Sequence, residues 1–407
     1  MIGLGPTIGP TIFVVPKTAV DLAGPSSIIT LVIAGVITLI TALNYAQMSS
    51  LLPTAGGGYS FSNRSFGGFG AFIAGWLMWI GSTAYISLSA ITFGVAITKF
   101  FPIASPLVIA LLTVIVFTAI NFVGVKQAGR AQVLLMLFVA IVLVAFVVAG
   151  LPVMNNSNFE PFFSKGIFTT FMTVGYVYTV FVGFEVIANV SEEVKKSTII
   201  VPRAIILTIL IALALFPTIL LVLIGVMSQQ AIINSDTPLV DASVHIFGPW
   251  GPPILVLYAM IASLASLNAS IISSSRTLFA IGRDKHLPAI LAAIHARFRT
   301  PYMALIISAG MSILLLYLME IDALVYATDF GYILGLTVIN AAGIVLHKKV
   351  KNASPAFKLP LHPLVPILAT VTTVVIIPTI STAALTLGLI ITGIGVAANI
   401  LYNRARK

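Results

Sequence analysis

The sequence predicts an all-α integral membrane protein of about 12 transmembrane helices. Of its 407 residues, 59% are apolar and only 8% are charged, whereas a soluble domain carries ~25% charge. The apolar residues also run on without alternating with polar ones, which excludes an outer-membrane barrel. The basic residues are gathered in short loops between these runs. The net charge of +10 is scattered singly across those loops, so it argues for a membrane orientation signal and not for nucleic acid. There is no cysteine, which removes disulfides and thiolate metal sites.

The spans read as 1–22, 27–52, 69–98, 104–123, 131–151, 167–190, 204–228, 251–280, 302–319, 324–346, 361–378 and 383–401. The last two come from one uncharged run, Leu359–Asn403, of 45 residues. At ~1.5 Å per residue that is roughly 67 Å of helix, against a ~30 Å hydrocarbon core, so the chain must turn near Pro378. Loops sharing a side with the C-terminus hold eighteen of the 21 basic residues, and Lys17, Lys99 and Lys165 face the other way. The positive-inside rule then puts the C-terminus in the cytoplasm of a multi-pass cell-membrane protein.

Met1 to Pro16 is 16 residues, roughly 24 Å of helix at ~1.5 Å per residue against a ~30 Å core, and it has no basic flank and no cleavage site. It reads as a chain that begins inside its first crossing, not as a signal peptide. Within it lies Gly3-Leu4-Gly5-Pro6-Thr7-Ile8-Gly9-Pro10-Thr11-Ile12-Phe13. Pro6 and Pro10 lack an amide donor and the glycines admit unusual dihedrals. One reading is an unwound segment whose amides meet an anionic group; the other is a kinked helix with glycines for close packing. A dinucleotide fingerprint is excluded, since the glycine spacing is wrong and no strand precedes it.

After span two, Pro53-Thr54-Ala55-Gly56-Gly57-Gly58-Tyr59 reads as a glycine-rich turn. It lacks the Lys-Ser/Thr that a phosphate-cradling loop needs. Span three carries Trp76 and Trp79, too deep for an interfacial belt; they either line a cavity or pack between helices. Span five has no ionisable residue.

Span six is the centre of the reading. No charge appears from Gly166 to Phe184, and then Glu185 falls inside the apolar run, two residues after Gly183. A carboxylate there costs ~2.5–3.5 kcal/mol on insertion scales, so it faces protein or water. Helix-opening beside it would free carbonyls and amides, which a bilayer tolerates only around a buried cavity. The loop Ser191–Lys196 reads as solvated, with Pro202 starting span seven. Span eight carries a polar stripe of Ser263, Ser266, Asn268, Ser270 and Ser273 to Ser275, either glue between helices or cavity lining. Asp329 in span ten is a second intramembrane acid. Either acid could carry a proton, or simply fix helix packing.

Spans one and six are both interrupted and lie five apart, which predicts a five-plus-five inverted repeat around a site at the paired breaks. The units are 1–151, 167–346, the extra helices 361–401 and a tail at 402–407.

These motifs together resemble the amino acid–polyamine–organocation permeases, specifically the amino acid permeases. Ile8-Gly9-Pro10-Thr11-Ile12-Phe13 is similar to that family's Ile-Gly-x-Gly-Ile-Phe. Leu52-Pro53-Thr54-Ala55-Gly56-Gly57 with Tyr59 resembles its Leu-Pro-x-Ala-Gly-Gly-x-Tyr. Phe181-Val182-Gly183-Phe184-Glu185 resembles its Tyr-x-Gly-Phe-Glu/Asp, with Val201-Pro202-Arg203 following. Ser275-Arg276 through Leu287-Pro288, and Phe357-Lys358-Leu359-Pro360, also look like family segments. The resemblance implies a secondary amino acid transporter working by alternating access. The substrate carboxylate would meet Gly9, Thr11 and Ile12, and its amino group the carbonyls of Thr179, Val180 and Val182 beside Gly183. Trp76 in span three and the Phe181 side chain would shape the pocket.

Two departures stand out. Thr11 replaces a glycine next to Pro10, and Val139 stands where some proton-coupled members carry a span-five lysine. Glu185 or Asp329 would then carry coupling, or the protein would exchange one solute for another without protons. The implied partners are a small-molecule substrate, an amino acid, and the lipid bilayer, with no cofactor and no metal. A polyamine or cation carrier with Glu185 as counter-charge, and a channel or sensor on the same fold, are the alternatives. An enzyme has no support, as the spans hold no nucleophile–base pair.

Overall fold

Each long apolar run folds as helix, because a chain without water partners must satisfy its own amides and carbonyls. The computed structural model describes residues 4–54, 56–101, 104–124, 128–350, 356–359 and 361–405. Met1, Gly3, Ala55, Lys126, Lys351, Pro360, Arg406 and Lys407, used in the reading above, lie outside them.

Among the described residues, eighteen α-helices follow in order: α1 (Leu4–Thr7), α2 (Thr11–Ala23), α3 (Ser27–Leu51), α4 (Gly57–Ser65), α5 (Gly68–Thr98), α6 (Pro106–Val123), α7 (Ala128–Gly150), α8 (Ile167–Met172), α9 (Val174–Val177), α10 (Val186–Asn189), α11 (Ser197–Val226), α12 (Gln229–Ile233), α13 (Pro238–Phe247), α14 (Gly251–Arg283), α15 (Tyr302–Leu318), α16 (Ile321–Lys349), α17 (Leu364–Ile376) and α18 (Thr382–Ala405). Among the described residues, nine helical stretches are long and apolar enough to cross a membrane, and α15 and the α17 region add two shorter apolar helices. The first of the nine, Gly5–Leu51, turns at Gly24, where φ is +65°.

The core is a scaffold of long helices around two broken ones. α5 packs along α14 and α16, and α11 along α3. α1 lies on α14, while the turn after α9 lies between α3 and α16. The outer helices α6, α7 and α18 present exposed Leu112, Ile141, Val148 and Ile394, the surface expected against lipid.

Three elements differ from the sequence reading. The glycine-rich stretch at 56–59 is not only a turn, since α4 begins at Gly57. Two tertiary contacts outweigh the poor helix propensity of glycine: Tyr45 OH accepts the Gly58 N–H at 2.7 Å, and α4 packs against α16. Span seven starts at Ser197 and not at 204, with Pro202 inside the helix. A proline there cannot donate to the carbonyl four residues earlier, which is Thr198, and Ser50 Oγ donates to that oxygen instead at 2.8 Å. The loop before it is not wholly solvated, because Ser191 is buried. Helices α12 and α13 occupy a connection that carries no span-length apolar run.

Candidate functional site

The first break separates α1 from α2 at Ile8-Gly9-Pro10. A continuous helix would pair the Gly5 and Pro6 carbonyls with residues 9 and 10, but Pro10 has no amide to give. Two side chains from other helices take over. Ser266 Oγ on α14 donates to Gly5 O at 2.8 Å, and Tyr85 OH on α5 donates to Pro6 O at 2.7 Å. These hydroxyls occupy the space beside Gly9: a Cβ there would collide with Tyr85 OH and come within 2.8 Å of Ser266 Oγ. Beyond the break, α2 begins with Pro10 as its cap residue and no side-chain cap. The helix start therefore presents amides at Thr11 and Ile12 for which α2 itself has no acceptor.

The second break follows a 3₁₀ turn, Tyr178–Phe181, after which Val182 is extended (φ −69°, ψ 149°). Gly183 has φ +120°, a conformation that side chains oppose. Its amide is held by Glu185, whose Oε2 accepts it at 2.9 Å. Tyr332 OH is a further polar neighbour of the Glu185 carboxyl and lies 3.1 Å from Ser82 Oγ. The Thr179 carbonyl already accepts the Val182 N–H at 3.2 Å.

The two breaks touch. A Cβ on Gly183 would fall 2.6 Å from Pro6 Cβ and 2.7 Å from Thr7 N. Around this contact sit buried polar atoms without a hydrogen-bond partner among the described residues: Thr7 Oγ1, Thr11 Oγ1, Thr179 Oγ1, Tyr258 OH, Ser263 Oγ, Glu185 Oε1 and both oxygens of Asp329. Buried polar atoms are normally paired, so this concentration around two open helices marks the breaks as the candidate site.

The surroundings are asymmetric. Towards the end carrying Lys17 and Lys99, a cavity of about 750 Å³ is lined by Phe13, Lys17, Ile91, Thr92, Lys99, Asp236, Val256, Ala259, Asp322 and Leu324. On α2, α14 and α5 its lining stops at Phe13, Ala259 and Ile91, roughly half a turn short of Thr11, one turn short of Ser263 and under two turns short of Tyr85. Phe13, at this end of the lining, packs its ring on that of Tyr258, centroids 4.9 Å apart. Beside it Asp322 joins three elements, accepting Tyr176 OH from α9 at 2.6 Å and Thr18 Oγ1 from α2 at 3.0 Å. At the cavity rim Lys17 pairs with Asp236 at 3.0 Å, and that hydrogen bond holds the exposed Asp236 carboxyl below its ordinary value. Towards the opposite end the packing is closed. Asn189 Nδ2 donates to Ser273 Oγ at 2.6 Å, Gly57 abuts Asn189 Oδ1, and Phe184 stands edge-on to Tyr45 at 5.6 Å.

Of the residues expected at the site, Gly9, Thr11, Ile12, Thr179, Val180, Val182, Gly183 and Glu185 lie on the two breaks, and Asp329 on α16 sits in electrostatic reach of the Thr179 amide. Two side chains point elsewhere. The Phe181 ring packs on Phe216 of α11 (5.6 Å) and over Gly35 of α3, because a 3₁₀ turn spaces successive side chains by 120° and this one falls on the α3–α11 seam. Trp76 belongs to helix packing: its indole N–H donates to Ile391 O on α18 at 3.2 Å, and its ring lies 4.7 Å from Trp79. Trp79 in turn donates to Ser308 Oγ on α15 at 2.9 Å. Val139 is fully buried in the core. Tyr85, Tyr258 and Tyr332 were not anticipated; the signal available was a hydroxyl on an otherwise apolar span. The serine stripe of α14 serves both readings, as Ser266 caps the break while Asn268 bonds Asn121 on α6 at 2.7 Å.

Comparison with known proteins gives the family. A family model described as amino acid permease matches residues 1–402. An uncharacterized transporter of Mycobacterium tuberculosis is 30% identical over 413 residues, covering 100% of this chain and 91% of that protein. A branched-chain amino acid permease of Bacillus subtilis is 27% identical over 99% of this chain and 91% of its own length. A serine/threonine exchanger of the same organism is 26% identical over 90% of this chain and 86% of its own length. The chain is a multi-pass membrane transporter and belongs to the amino acid permease family.

Proposed function

We propose that this permease is a secondary transporter that carries an amino acid across the cell membrane by alternating access, with its C-terminus in the cytoplasm. The observation that carries the reading is the contact of Gly183 with Pro6 and Thr7, which puts both helix openings at one point among unpartnered polar atoms. In this reading the cargo carboxylate meets the α2 start at Thr11 and Ile12, beside Gly9. The Thr11 hydroxyl compensates for the donor that Pro10 lacks. The cargo ammonium meets carbonyls of the Thr179–Val182 turn. The chain crosses the bilayer twelve times, and spans one to five and six to ten form the inverted repeat that gives such sites two alternative exits.

The asymmetry of the packing supports an outward-facing form with its floor closed. Glu185 holds the Gly183 amide through one oxygen and leaves the other unpartnered near Tyr332, so it is placed to couple proton movement to the geometry of the break. The relatives named for branched-chain amino acids and for serine/threonine exchange support an amino acid as cargo.

Uptake by proteoliposomes tests the reading. Radiolabelled amino acid uptake should saturate and accelerate when unlabelled amino acid is loaded inside. Flux that rises linearly with concentration and ignores internal cargo would make the protein a channel.

A further inference from the structure

We propose that Asp329 is the counter-charge of a cation subsite and that the cargo is an amino acid whose side chain carries an ammonium or guanidinium group; this rests on the transport reading above. Glu185 and Asp329 are the only Asp, Glu, Lys, Arg or His side chains buried among the described residues. Their environments differ. Glu185 holds the Gly183 amide at 2.9 Å, so part of its hydrogen-bonding capacity is used by the fold. Asp329 is fully buried, and among the described residues neither carboxyl oxygen is held in a well-formed hydrogen bond, the Thr179 amide approaching it without meeting that geometry.

A carboxyl that merely fixed helix packing would be bonded to what it fixes. An unpaired carboxylate in a low-dielectric interior is costly, and the cost is relieved by a proton while the site is empty or by an opposite charge when one is brought to it. Among the described residues no buried Lys, Arg or His supplies that charge. Asp329 lies beside the 3₁₀ turn of the second break, facing the Thr179 amide, and Thr179 Oγ1 is likewise unpartnered. Tyr178 and Tyr326 are its other polar neighbours, and neither carries a positive charge.

The charge count then selects the cargo. A zwitterion brings one positive group, which the carbonyls of the second break take, and one negative group, which the α2 start takes. Nothing remains to offset Asp329. A second positive charge on the cargo completes the balance, and the unpartnered Thr179 hydroxyl supplies an extra acceptor beside it.

The test is a thermal-shift panel on the purified full chain in lipid nanodiscs, at one pH, using lysine, ornithine, arginine, leucine, serine and putrescine as probes. The cationic amino acids should stabilise at concentrations at least about tenfold lower than leucine or serine. In Asp329→Asn that gap should close through loss of the lysine, ornithine and arginine shifts. Stabilisation by leucine or serine in preference to lysine would overturn the proposal and leave the amino acid reading intact. An equal loss of leucine and lysine binding in Asp329→Asn would assign the carboxyl to the α-ammonium and overturn it too. Sodium chloride compared with choline chloride, without cargo, is the third arm; an Asp329-dependent shift with sodium would make this a metal-cation site. Stabilisation by putrescine and by no amino acid would end the amino acid reading while the Asp329 subsite stands. The wild-type panel decides the class even if the variant fails to fold.

Discussion

Gly183 lies against Pro6 so closely that a single added methyl group at Gly183 would stand 2.6 Å from Pro6 Cβ and 2.7 Å from the Thr7 amide nitrogen. Residues 177 positions apart in sequence thereby set the distance between the two open helices. The contact explains why the second opening needs a glycine twice over. Its φ of +120° excludes most side chains, and the neighbouring backbone leaves no room for one.

Gly183→Ala should therefore abolish uptake and lower stability by about 1–3 kcal/mol, the range for backbone strain at such positions. Gly310→Ala is the control, as it lies inside α15 with nothing within 4 Å of the added carbon. Alanine there should be neutral or stabilising by up to ~1 kcal/mol. Thermal unfolding of the two variants side by side reads the difference; equal effects would remove the special role given to the contact.

Glu185 separates holding the break from moving a proton. Glu185→Gln keeps an oxygen for the Gly183 amide and cannot titrate, so it should fold normally while uptake loses its dependence on pH between 5 and 8. Glu185→Leu strands that amide and should cost about 1–3 kcal/mol. A Gln profile that overlays the wild type would confine the residue to holding the break.

Much of this architecture is legible in the sequence because membrane spans obey two simple constraints, length and charge. Span limits such as 27–52 and 302–319 fall within a residue of α3 and α15. The openings were legible too, since prolines, glycines and an intramembrane acid each cost a plain packing helix stability. Direction was not. Trp76 and Phe181 sit on helices buried on all sides, where every face is apolar and periodicity cannot say which neighbour a ring meets. The start of α11 is hidden for a related reason: the carbonyl that Pro202 leaves open is met by a tertiary partner, Ser50. That Asp329 lacks a partner likewise depends on what α16 packs against, which no local pattern records.

His286 gives a test outside the membrane. It lies in the connection after α14, edge-on to Tyr59 at 6.4 Å, and its carbonyl accepts Asn399 Nδ2 from α18 at 2.6 Å. Partial burial lowers its pKa below the ordinary 6.5. Just below pH 6.5 the unfolded chain thus binds more protons than the folded one, and stability rises with pH. The contribution is full above 6.5 and is lost as pH falls through the depressed value. His286→Gln should flatten the fall in melting temperature between pH 7 and pH 5; the effect is small because the ring is half-exposed. An unchanged slope would show that other groups set it.

The floor of the cavity can be probed because the chain has no cysteine of its own. Ser263 lies beyond the Phe13–Tyr258 pair, fully buried and with its hydroxyl unpartnered. In a Ser263→Cys background, a small membrane-impermeant thiol reagent must pass that pair to react. Phe13→Ala deletes one of the two rings and leaves an opening from the 750 Å³ cavity towards Thr11. Labelling should then be faster by about tenfold, the change expected if removing the ring lowers the barrier to opening by ~1.4 kcal/mol. Ala259→Cys, already on the cavity wall, should label at the same rate with or without Phe13. Equal rates at position 263 in both backgrounds would mean that the ring pair is not the gate, and that the path from the cavity to the breaks runs elsewhere.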